Sequence, residues 1–227
     1  MIVAPPAPPP VALAVSPTRL VLAAGETRTI EVTNRGTGAA TVDALPTGLA
    51  FGLRGRPRIL LRTAAAVAVR PRRLVVPRGE TATLAVSSPR RLQPGDRPAL
   101  VLVSTRGRAR GVGVGLRVGV VVLVRGGGRV VRRLVPLALH VRGRRLELLL
   151  RNAGNVSEQL APATVHVRLL RRGRVVARPW VEQRELLPHT RGIVRLRLAR
   201  RLRGDAVAVV RVLATTRRFR VKPAGRR

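Results

Sequence analysis

A chain of 227 residues, 45% of them apolar, carries enough hydrophobic material for one large or two ordinary domains, which excludes wholesale disorder. Its formal net charge of +35 comes from 45 basic residues, all arginine except Lys222, against ten acids; such a field favours nucleic acid, anionic polymer or anionic lipid headgroups as partners. There is no cysteine for a disulfide framework or a thiolate metal site, and the longest apolar run, Val118 to Val124, is the size of a strand rather than a membrane span.

Residues 1–14 form a Pro-rich leader. Pro5 to Pro10 followed by Ala12-Leu13-Ala14 reads in two ways: as the tail of a truncated secretory signal with its small-residue cleavage site, or as a polyproline II segment. On the first reading the mature chain begins near Val15.

An internal repeat follows. Val15 to Thr33 (VSPTRLVLAAGETRTIEVT) and Val69 to Ser87 (VRPRRLVVPRGETATLAVS) are identical at ten of nineteen positions at an offset of 54. Each copy reads as a short strand, a glycine turn at Gly25 or Gly79 and an alternating strand, that is, a hairpin-like unit. Further strands are expected at Ala39–Val42, Ala64–Val69 and Ala99–Val103, and then at Val118–Val124. The triple glycine Gly126 to Gly128 marks a linker, so the expected boundaries are 15–125 for a first domain, 126–129 for the linker, 130–222 for a second domain and 223–227 for a basic tail.

The second half repeats the theme with strands at Leu146–Leu150, Thr164–Leu170, Ala206–Val212 and Arg218–Lys222. A weaker echo of the repeat, Leu186-Leu187-Pro188-His189-Thr190 leading into Ile193–Leu198, implies a second domain of similar plan. Short strands separated by turns, with no helical stripe, describe an all-β chain of two β-sandwiches.

Chemistry is sparse. Three histidines (His140, His166, His189), three aspartates and seven glutamates occur at no recognised catalytic or metal-binding spacing, so the expectation is a protein that is not an enzyme and has no cofactor or metal. Gly111, Gly113 and Gly115 alternate with Val112, Val114 and Leu116, and Gly119 keeps the same parity beyond Arg117. The strand therefore has an aliphatic row on one face and almost no side chains on the other. It is either a core strand with a flat outer face or a strand that admits another backbone closely. Phe51, Trp180 and Phe219 are the only aromatics, too few for a base-stacking platform, so nucleic acid is not the expected partner. The lone Trp180 is expected in the core of the second domain. Asn155-Val156-Ser157 matches an N-glycosylation acceptor.

Val15-Ser16-Pro17-Thr18-Arg19-Leu20-Val21, Gly25-Glu26 and Ile30-Glu31-Val32-Thr33-Asn34 together resemble the opening of the periplasmic pilus-assembly chaperones and their Gram-positive cell-surface relatives. Leu74 and Pro77-Arg78-Gly79 are similar to a later segment of those proteins, and Arg151-Asn152-Ala153-Gly154-Asn155 resembles the N-x-G-N of the Gram-positive relatives' second domain.

The resemblance implies two consecutive immunoglobulin-like β-sandwich domains with a basic cleft between them. It also implies an exported, periplasmic, secreted or cell-surface chaperone-like protein. In those chaperones a first-strand Arg and a Lys on the last strand of domain one anchor a subunit's terminal carboxylate, and that last strand completes the subunit's sheet. Arg19 falls on the Arg position. The Lys position falls on Val121, the nearest basic residue being Arg117 four places earlier. The expected partner-binding residues are Arg19, Arg117, Val112, Val114 and Leu116. The expected partner is a secreted or surface subunit, with anionic cell-wall polymer on the Arg-rich surface as the alternative and nonspecific nucleic-acid binding through arginine–phosphate contacts as a second alternative.

Overall fold

The computed structural model describes residues 12–63, 65–109 and 112–222, without the side chains of 106–109 and 112–114. The leader through residue 11, Ala64, Gly111 and the basic tail lie outside the described residues. The described chain is all β, and it divides into two compact units. The first comprises 1–50, 59–93 and 97–127; the second comprises 51–58, 94–96 and 128–227.

The first unit holds, apart from residues 51, 57–58 and 95–96 at strand ends, β1 (Leu13–Ser16), β2 (Arg19–Ala23), β3 (Thr27–Asn34), β4 (Ala40–Phe51), β5 (Pro57–Leu60), β6 (Ala68–Arg70), β7 (Arg73–Val76), β8 (Thr81–Ser87), β9 (Gly95–Ala109) and β10 (Val112–Gly126). One sheet runs β1-β3-β8-β6. The other runs β2-β10-β9-β4-β5, with β7 also on β4. Strand β1 takes in Leu13 and Ala14, which the composition alone assigns to the leader.

The core lies between the sheets and is aliphatic: Leu20, Leu22, Ile30, Val32, Val120, Val122 and Val124 are among its buried members. Each such side chain, fully buried, contributes about 1.5–3 kcal/mol.

The repeat folds differently from the expected hairpins. Each copy is an arch. Strand β2 joins β10 and β7 joins β4 in one sheet, whereas β3 and β8 pair with each other in the opposite sheet. The turns at Gly25 (φ 78°) and Gly79 (φ 76°) therefore carry the chain across the core. The physical reason is that both strands of a copy carry an aliphatic row, Leu20 and Leu22 in one and Ile30 and Val32 in the next. Facing across the sandwich buries the two rows against each other.

The two copies are related by a local two-fold. The antiparallel ladder runs from Thr27↔Ser87 to Thr33↔Thr81, and at its centre Ile30 pairs with Leu84, its own counterpart in the repeat. The hydrogen bonds flanking the ladder follow the same symmetry: Asn34 N–H donates to the Glu80 carbonyl at 2.9 Å, and Ser88 N–H donates to that of Glu26 at 3.0 Å.

The second unit is another sandwich. It holds β11 (Leu134–Arg142), β12 (Arg145–Asn152), β13 (Glu158–Leu160), β14 (Val165–Arg171), β15 (Arg174–Ala177), β16 (Trp180–Val181), β17 (Arg184–Leu186), β18 (Arg191–Arg197), β19 (Ala206–Val212) and β20 (Thr215–Val221). The sheets β11-β12-β18-β16 and β15-β14-β19-β20 enclose a core that includes Leu146, Leu148, Leu150, Leu169, Leu196 and Val210, and β13 pairs with β17 at the side.

The same asparagine device closes a strand in each unit. Asn34 Nδ2 donates to the carbonyls of Gly38 and Val76 at 2.8 and 2.9 Å, and its Oδ1 accepts from Gly36 N–H. Asn152 Nδ2 donates to Val156 and Leu186 at 2.8 and 3.1 Å, and its Oδ1 accepts from Gly154 N–H. A buried amide that bonds three backbone groups satisfies them where water cannot reach. The late echo in the sequence supplies the matching turn: His189 (φ 57°) stands where the first unit has Gly79, and Asn152 N–H donates to Thr190 as Asn34 N–H does to Glu80, both at 2.9 Å.

Candidate functional site

The site inferred from the sequence lies where β2 and β10 meet. After β1 the chain passes Pro17 and enters the other sheet, where β2 pairs in parallel with β10 from Arg19↔Val121 to Ala23↔Arg125. Val121 N–H donates to the Thr18 carbonyl at 3.0 Å and closes the start of the ladder. Leu20 and Leu22 point into the core, so alternation turns Arg19 outward, where it is exposed. Arg19 and Val121 are thus ladder neighbours, and the position facing the arginine holds an aliphatic side chain.

Strand β10 is fifteen residues long, about 50 Å of extended chain, and β2 covers only its last few. Val112 to Val120 run on beyond Arg19. Among the described residues no strand is laddered to that edge, the other edge being held by β9.

Parity explains the glycines. Val120, Val122 and Val124 are fully buried in the core, and Leu116 and Val118, of the same parity, are half-buried further along the strand. Gly115, Arg117 and Gly119 occupy the opposite face and are exposed. A Cβ on Gly119 would lie 3.2 Å from Leu100 Cδ1 of β9, so that glycine makes room for a neighbour; at Gly115 the corresponding space is open.

The aliphatic row is therefore divided along its length. Its C-terminal part fills the unit's own core, and its N-terminal part lies beside the unpaired edge. Val112 and Val114 fall within this edge by backbone position, their side chains being outside the described ones.

Arg117 is exposed but stands four residues before Val121, roughly 13 Å along the strand from the Arg19 register. Arg19 and Arg117 thus flank a stretch of the edge rather than form one adjacent pair.

Two readings of single residues are revised. Trp180 is not a core residue: it is 67% exposed. In the two-residue strand β16, Val181 takes the inward position, so alternation turns the indole out. Asn155 of the glycosylation match has its side chain engaged by backbone, accepting from Val131 N–H at 2.7 Å and donating to the Arg129 carbonyl at 3.0 Å. Its Nδ2 is committed to the fold.

His140, His166 and His189 are all exposed, and the described residues contain no cluster of three metal-binding side chains.

No protein-family model matches the chain, and no curated protein matches it in sequence. Solved structures match it in fold. A chaperone–tip adhesin complex of CFA/I fimbriae biogenesis superposes with a TM-score of 0.60 at 8% identity, over 94% of this chain and 100% of that one. The class 5 fimbriae chaperone CfaA gives 0.56 at 8% identity, over 93% and 100%. The CsuC–CsuE chaperone–tip adhesion subunit pre-assembly complex from the archaic Csu pili of Acinetobacter baumannii gives 0.52 at 13% identity, over 94% and 100%.

At such identities the likeness is one of fold: two consecutive immunoglobulin-like sandwiches. The fold is the one that the resemblance read from the sequence implies, and the likeness gives no support to its Gram-positive relatives.

Proposed function

We propose that this chain is an exported chaperone-like protein, not an enzyme, that binds a secreted or surface protein subunit by strand addition along the edge of β10 between Val112 and Val120. The observation that carries the proposal is that β2 covers only Val121–Arg125 of a fifteen-residue strand, which leaves backbone donors and acceptors in line beside an aliphatic row. An extended segment laid on that edge gains main-chain hydrogen bonds, and alternate apolar side chains supply specificity.

The chaperone–tip subunit complexes among the fold neighbours support this reading over a purely structural role. Val112, Val114 and Leu116 would receive the subunit's side chains. Arg19 would bind a terminal carboxylate at one end of the edge, and Arg117 would steady the added strand midway. The compartment that such a role requires is the periplasm, or the cell surface after secretion.

The alternative is a protein whose Arg-rich surface adheres to anionic cell-wall polymer, for which the net charge of +35 is the supporting observation. Pull-down with the tagged chain from a cell-envelope extract separates the two. Strand addition predicts a protein subunit retained at moderate salt and lost with Leu116→Arg, with Arg19→Ala weakening recovery. Adhesion predicts capture that collapses with salt and is indifferent to Leu116. Recovery unchanged by either substitution overturns the proposal.

A further inference from the structure

The second unit carries a groove of about 420 Å³ that the strand-addition reading does not use. It arises from a change of sheet. Strand β15 pairs with β14 only at Leu169–Arg171; beyond Ala177 the chain passes Arg178 and Pro179 and joins the opposite sheet, where Val181 pairs with Leu196. Among the described residues, the divergence leaves Val165–Arg168 of β14 without a ladder partner on that side.

Trp180 forms one wall, 67% exposed. The outer face of β14 and β19 forms the other, where His166 stands opposite Arg211 and Arg168 opposite Val209. Arg168, Arg178 and Arg211 are exposed in or beside the groove, and none of the ion pairs among the described residues includes them.

We infer that this groove binds an acidic, extended peptide segment that seats an apolar side chain against Trp180. Three features select that occupant. The open edge of β14 offers backbone groups that only another polypeptide complements in register. The arginines, planar donors without carboxylates of their own, match Asp and Glu side chains bidentately. Trp and Arg side by side around an apolar pocket are the residue types that dominate protein–protein affinity.

Trp180 is the only tryptophan in the chain, so its emission reports on this groove alone. The probe is a ten-residue peptide of alternating Glu and Val, titrated into the full chain. The expected result is a saturable blue shift of the emission. The apparent affinity should fall at least tenfold in the double variant Arg168→Gln, Arg211→Gln. It should change less than twofold when the same charge is removed from the first unit by Arg35→Gln, Arg78→Gln.

A labelled peptide followed by anisotropy should bind Trp180→Ala several-fold more weakly. No shift, an equal response to a Lys-Val peptide, or an equal loss in both double variants overturns the inference. An equal shift with single-stranded oligonucleotide or polygalacturonate also overturns it, by making the groove a general polyanion site. Because none of these substitutions is on β2 or β10, capture of the envelope subunit tests the strand-addition proposal separately.

Discussion

Arg19 and Val121 face each other across a parallel ladder, two sequence-distant residues brought into register, so that the carboxylate site proposed at Arg19 has an aliphatic neighbour where a second cation could stand. Neighbouring strands lie about 4.8 Å apart, so a lysine at 121 would place its ammonium beside the guanidinium. Val121→Lys is expected to raise affinity for a subunit peptide ending in a free carboxylate severalfold and to leave its C-terminally amidated form unchanged. Isothermal titration of the two peptides against both chains reads the difference. Equal gains for both peptides would mean that only general charge had been added.

The two-fold relation of the repeat has an energetic signature. Ile30 and Leu84 are fully buried mates at the centre of the β3–β8 ladder. Ile30→Ala and Leu84→Ala should each cost about 2–5 kcal/mol, within the spread for large-to-small core substitutions. Their effects should not add, since the residues touch a common space. Chemical denaturation of the singles and the double measures both quantities, and strict additivity would contradict shared packing.

How much of this was legible in the residues can be judged from the same repeat. Period-two alternation marks β3, β8 and β18 as strands, because that pattern follows from burial alone, whereas β12 and β19 read as apolar runs with no face assigned. It could not say that β2 pairs with β10 and β3 with β8, since alternation is the same for a hairpin and an arch. Asn34 and Asn152 enter the sequence reading only through a resemblance; their hydrogen bonds to buried backbone groups give them a role within the fold. Arg19 and Leu116 were legible as site candidates, but the unequal lengths of β2 and β10, which expose the edge, depend on tertiary pairing. Trp180 was misplaced because a two-residue strand is too short for its parity to be read.

The paired asparagines give a second stability test. Asn34→Ala or Asn152→Ala leaves buried backbone groups unsatisfied and should cost about 2–3 kcal/mol each. Asn152→Asp should be no milder, because a carboxylate would face the carbonyls of Val156 and Leu186 that the amide now serves as donor. Thermal melts check this, and an Asp variant as stable as the parent would contradict the bonding assigned.

Glu26 reports on pH. Its carboxylate accepts from Ala23 N–H at 2.7 Å and from Arg28 Nε at 2.6 Å, and these bonds, the backbone one first, hold it below the usual glutamate range. The charged form is the favoured one in the fold. Its contribution is therefore complete above the titration of an unfolded glutamate, about pH 4.3, and fades as pH falls through the lower folded value. An NMR titration should show the Ala23 amide resonance moving at a pH below that of a free glutamate. Movement at or above it would refute the assignment.

The central claim is that the edge of β10 receives another chain, and amide hydrogen exchange on the complex recovered from envelope extract tests it most directly. The prediction is slowed exchange at Val112–Val120 relative to the chain alone, with the Val121–Arg125 ladder to β2 already protected in both. Unchanged exchange along Val112–Val120, with protection appearing elsewhere on the molecule, would contradict it.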